Sequence, residues 1–116
     1  MTPDLLITTI GIKRTWPSIE YGAWLASTLN TKITLLGVTE KLNPAVIDDH
    51  HPLEDVFERA VELFRQSGVT YNLEVQNGNA EEIVPRKVRQ GNYITVIGPL
   101  GRPQIRRFMQ GVPFVI

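Results

Sequence analysis

Short apolar runs alternate with stretches of helically spaced apolar positions along this chain. Leu5 to Ile10 is nearly continuous in apolar or β-favouring residues and ends at Gly11, the pattern of a strand covered on both faces. Thr15 and Pro17 suit a helix start. Tyr21, Trp24, Leu25, Thr28 and Leu29 then recur at the i, i+3, i+4, i+7, i+8 spacing of one helical face, which assigns Trp24 to the core. Ile33 to Val38 reads as a second buried strand.

Lys41 to Pro52, with two prolines and the polar run Asp48, Asp49, His50, His51, reads as an exposed connection. Leu53, Val56, Phe57, Ala60, Val61 and Phe64 mark a second amphipathic helix, with Gly68 placed where a helix ends on a left-handed residue. Val69, Tyr71, Leu73 and Val75 alternate with polar residues, as in a strand with one face toward solvent at a sheet edge. Asn79 and Glu82 form a capping-box pattern ahead of Ile83, Val84 and Val88, and Pro85 predicts a kink or a late start for that helix. Tyr93 to Ile97 is a fourth strand, and Phe114 to Ile116 a short fifth. This alternation predicts one α/β domain over residues 1–116, a parallel sheet wrapped by helices. In such sheets ligands sit beyond the carboxyl ends of the strands, where the winding reverses. If strands one and four are neighbours, the Gly11 turn and the Gly98 loop face one another there.

Twelve Lys+Arg against twelve Asp+Glu leaves no formal net charge, which argues against nucleic acid or an anionic membrane as a general partner. With no cysteine, thiolate nucleophiles, thiolate metal sites and disulfides are excluded. Met1 to Asp4 is acidic where a secretory leader is basic, and Leu5 to Ile10 is too short to span a bilayer, so a cytoplasmic location is expected. The Asp48 to His51 run offers metal-ligand atoms without a geometry to aim them, and reads as a polar loop. Trp16, beside the first turn, suits either a hydrophobic staple or a surface for stacking a base. Neither a P-loop pattern nor a Ser-His-acid set is present, so the chain is not expected to be an enzyme, weak ATP hydrolysis being the one activity left open.

Three glycines after the fourth strand carry the strongest chemical signal. Gly98, Gly101 and Gly111 are spaced G-x-x-G, nine residues, G, and Arg102, Arg106 and Arg107 stand among them, a composition suited to an anion. With the end of strand one at Gly11, the helix ending in Gly68 and the stretch Gly78 to Ile83, this spacing resembles the universal stress protein family. The resemblance implies a Rossmann-like three-layer sandwich with a mostly parallel five-stranded sheet of order 3-2-1-4-5. It also implies a homodimer paired through the last strand, and ATP or AMP as ligand with its phosphates on the glycine loop. Carried over to this chain, the implied pocket positions are Ile10, Gly11, Val38, Gly98, Gly101, Arg102, Gly111 and Val112.

The chain departs from the family pattern at several positions in and beside this set. Ile10 stands where nucleotide-binding members carry an acid, Val112 where they carry Ser or Thr, and Pro99 contributes no N–H. Few residues follow Gly111, so either the C-terminal helix is shortened or missing, or Gln104 to Met109 is that helix and the third glycine matches by accident. Two functional readings follow: a small stress-response protein whose adenine nucleotide binding is weakened or lost, and a ligand-free homodimeric interaction module with a degenerate pocket.

Overall fold

The computed structural model describes residues 3–9, 16–39, 53–97 and 114–115. Among these residues five strands and three helices follow in the order β1 (Asp4–Thr9), α1 (Trp16–Leu29), β2 (Ile33–Thr39), α2 (Leu53–Gln66), β3 (Tyr71–Asn77), α3 (Ala80–Gln90), β4 (Tyr93–Ile97) and β5 (Phe114–Val115). The strands form one sheet in the order β3-β2-β1-β4-β5, as the resemblance implied, and every pairing is parallel. Residues 98–113, where a C-terminal helix was in question, and the connection at 41–52 lie outside the described residues.

Period-two alternation on the strands divides the core into two layers. Leu5 and Ile7 of β1, Ile33 and Leu35 of β2 and Ile97 of β4 pack with Ile19, Ala23 and Ala26 of α1 and with Val56, Ala60 and Phe64 of α2. On the other face Leu6, Leu36, Val38 and Val96 pack with Ile83, Val84 and Val88 of α3. The three-layer sandwich follows directly: the central strands β1 and β2 are buried on both faces because helices cover both.

α1 turns a different face inward from the one its large apolar residues define. Trp24 is 60% exposed, with Tyr21 and Leu29 also at the surface, while Ile19, Gly22, Ala23 and Ala26 are buried. The expectation that Trp24 is core is therefore corrected. A small-residue stripe lets α1 lie close on β1 and β4, and the bulky residues are left to pack on each other outside, the Tyr21 and Trp24 rings standing 5.9 Å apart. Trp16, half-buried at the start of α1, packs against the core.

α1 and α2 end in the same way. Asn30 and Gly68 are left-handed, with φ of 53° and 70°. Thr31 N–H then bonds the Ala26 carbonyl at 3.0 Å and Val69 N–H bonds the Phe64 carbonyl at 2.9 Å, satisfying last-turn carbonyls. α3 starts at Ala80 and runs through Pro85 without the expected late start. Its first turn is held upstream of the proline, where the Asn79 carbonyl accepts from Glu82 N–H at 3.0 Å and from Ile83 N–H at 2.9 Å.

β3 is the expected edge strand, but the face it exposes is the apolar one. Leu73 and Val75 are 42% and 55% exposed, whereas Glu74 and Gln76 are half-buried. Lys87 of α3 reaches over Glu74, its Nζ lying 2.8 Å from Oε2 and 3.0 Å from Oε1, and covers the middle of the polar face, while on the apolar face Tyr71 alone packs against the core, beside Phe64 of α2.

Candidate functional site

The strand order places the switch point between β1 and β4. From β1 the chain moves outward through β2 to β3, then crosses back through α3 to β4 on the other side of β1. Because all strands are parallel, β1 and β4 end at the same side of the sheet, in a register that sets Ile7 opposite Ile97. A crevice at that point is where open α/β sheets receive ligands. Ile10 and Gly11 follow β1 directly, and Gly98 follows β4. Those three, with Gly101, Arg102, Gly111 and Val112, lie outside the described residues.

Val38 is the described member of the expected pocket set. It is fully buried near the end of β2, its side chain packed in the layer beneath α3. The end of β2 beside it is tied to β3: Thr39 Oγ1 donates to Asn77 Oδ1 at 2.8 Å, and Gly78 N–H donates to the Thr39 carbonyl at 3.0 Å. These bonds tie the carboxyl ends of β2 and β3 together.

Thr8 is a feature that the sequence analysis did not single out. It is fully buried near the end of β1, opposite Leu36, and its Oγ1 has no hydrogen-bond partner among the described residues. A buried hydroxyl without a partner costs roughly 1–3 kcal/mol, so its place at the switch point matters. The signal in the sequence was Thr8 and Thr9 interrupting an apolar strand just before its carboxyl end.

On the α3 side, burial acts to lower the pKa of the Lys87 ammonium. The hydrogen bond it donates to Glu74 and the nearby Tyr93 phenol and Glu74 carboxylate more than offset it, so Lys87 titrates above its usual range. The Tyr93 phenol is also pushed up, chiefly by burial, with Lys87 opposing and Glu74 adding to the shift. This cluster ties α3 to the edge strand. An open cavity of about 430 Å³ lined by Asp4, Ser27, Asn30, Lys32 and Gly68, among others, sits at the opposite end of the sheet, where strands begin and helices α1 and α2 end. It is remote from the switch point. Among the described residues no group of three or more His, Cys, Asp or Glu is placed to hold a metal ion, and no helix is long and apolar enough to cross a membrane.

The sheet order, the three layers and the switch point define the fold of the universal stress proteins. A universal stress protein solved in complex with cAMP is 10% identical, with a TM-score of 0.70 over 98% of this chain and 95% of its own. The universal stress protein from Archaeoglobus fulgidus in complex with dAMP is 12% identical, with a TM-score of 0.67 over 98% of this chain and 96% of its own. A protein of the universal stress protein family from Burkholderia pseudomallei is 14% identical, with a TM-score of 0.70 over 97% of this chain and 93% of its own. At these identities the likeness is one of fold. No family model matches the sequence, and none of the curated proteins does.

Proposed function

We propose that this chain is a small stress-response protein of the universal stress type that works by binding, without turnover, and whose switch-point crevice takes an adenine nucleotide such as ATP or AMP weakly. The observation that carries this reading is the adjacency of β1 and β4, whose ends Gly11 and Gly98 follow closely in sequence. Two neighbours in fold were solved with cAMP and dAMP, which supports the ligand class. Weakness follows from Ile10, Pro99 and Val112, each of which removes a polar partner from the pocket. Each lost bond to a charged group is worth about 1.5–3 kcal/mol.

Titration calorimetry with ATP and AMP tests this. The expected result is heat of binding with a dissociation constant well above micromolar, abolished by Arg102→Ala and by Gly101→Val. Equal binding by the variants overturns the site.

The same three residues favour a second reading, a ligand-free homodimeric module with an apolar crevice. It predicts no nucleotide in native mass spectra of freshly purified protein and no thermal shift with any nucleotide. In both readings the homodimer forms through β5, which lies at the sheet edge opposite β3.

A further inference from the structure

The β3 edge lacks the devices that keep sheet edges from pairing. Lysine, proline or a bulge normally guards such an edge. β3 has none of these: its seven residues run in unbroken register with β2, from Tyr71 opposite Ile33 to Asn77 opposite Thr39. Its outward apolar residues Leu73 and Val75 are exposed, and its single charge, Glu74, is on the other face and engaged by Lys87.

The backbone of this edge has a defined register. Thr70 C=O accepts from Ile33 N–H at 2.9 Å and Gly78 N–H donates to Thr39 C=O at 3.0 Å, so the even-numbered residues of β3 turn their backbone groups toward β2. By alternation Tyr71, Leu73 and Val75 turn theirs outward.

We propose that β3 pairs antiparallel with β3 of a second copy, about a twofold axis through Leu73, joining two sheets into one. Leu73 then lies opposite Leu73 of the second copy and Tyr71 opposite Val75, each pair exchanging both backbone hydrogen bonds. Asn72 lies opposite Glu74 on the other face. An axis through Glu74 would set two carboxylates against each other, which opposes pairing.

The helix above the edge fits the same axis. α2 covers β2 and β3, since a Cβ at Gly37 would come within 2.8 Å of the Phe57 ring, and Phe57, Glu58, Val61, Glu62 and Arg65 line an open groove with Leu73. Strands about 4.8 Å apart would bring the two copies of α2 side by side at about 10 Å, an ordinary helix-packing distance. They run antiparallel, so Arg65 of each copy meets Glu58 and Glu62 of the other. An extended peptide would match the backbone alone; a second copy also matches the charges.

The chain has no cysteine, so single introduced ones report on the axis. In Leu73→Cys the two Cα atoms lie about 5.5 Å apart, within disulfide reach. In Val75→Cys they lie about 14 Å apart. Mild oxidation is expected to convert Leu73→Cys to a covalent dimer on denaturing gels and to leave Val75→Cys monomeric. Adding Arg65→Glu is expected to slow the cross-link about tenfold, and Glu58→Arg on top of it to restore the rate. No cross-link at 73, equal cross-linking at 75, or a rate indifferent to Arg65→Glu overturns the proposal. A dimer through β5 leaves both cysteines unlinked, so the two interfaces are told apart.

Discussion

Gly22 of α1 lies directly over Ile7 of β1: a Cβ at position 22 would overlap Ile7 Cδ1 and come within 3.0 Å of Cγ1. An alanine there would add helix propensity of about 1 kcal/mol, yet it would force a fully buried side chain in a packed core to move. The steric term wins because Ile7 is enclosed. Gly22→Ala is expected to destabilise by about 1–3 kcal/mol in urea unfolding. Ile7→Val removes the overlapping Cδ1, so the double variant should recover part of that loss, and additive losses would show that the two positions do not touch.

Trp24 and Ile19 make a paired test of which face of α1 is the core. Ile19 is fully buried and Trp24 is 60% exposed. Ile19→Ala is expected to cost about 2–5 kcal/mol, and Trp24→Gln less than about 1 kcal/mol despite the larger side chain removed. Chemical denaturation of the two variants checks the order, and the reverse order would return Trp24 to the core.

Alkaline unfolding should report on the cluster that joins α3 to β3. Lys87 and Tyr93 both hold their protons more tightly in the folded state. Their contribution is therefore complete below the unfolded values, about 10 for both groups, and is lost as pH rises through the folded ones. Stability measured by urea midpoints is expected to be level to about pH 9 and to fall above it. Lys87→Met is expected to cost about 1 kcal/mol at pH 7 and to flatten that alkaline fall; an unchanged slope would show that other groups cause it.

Thr8→Val replaces a buried hydroxyl with a methyl of the same shape. Since Thr8 Oγ1 has no hydrogen-bond partner among the described residues, the substitution removes a desolvation cost without removing a bond. A gain of about 1 kcal/mol is expected, seen as a melting temperature several degrees higher. A loss of similar size would mean that the hydroxyl is bonded in solution.

The parts of the fold that were legible share a physical origin. Gly68 marked the end of α2 because few residues adopt its left-handed backbone, and the continuous apolar run from Leu5 marked β1 as central because only a strand covered on both faces can bury every side chain. Trp24 misled because hydrophobicity and burial are not the same quantity. The inward face of α1 was chosen by how closely a stripe containing Gly22, Ala23 and Ala26 could approach the sheet, which depends on Ile7 from a different element. Of the expected pocket positions, Val38 is in the packed layer under α3, and Thr8, unremarked in the sequence, proved to be the buried polar group near the end of β1.

Sequence alone determined the kind and order of the elements among the described residues, because period and turn chemistry are local. Tertiary structure decided which faces they turn to one another. The register with β2 turns Leu73 to the α2 side and leaves Glu74 for Lys87 on the α3 side, and the switch point exists because α3 carries the chain back across β1 to β4. Those are contacts between residues distant along the chain, and their energies depend on packing that no local pattern encodes.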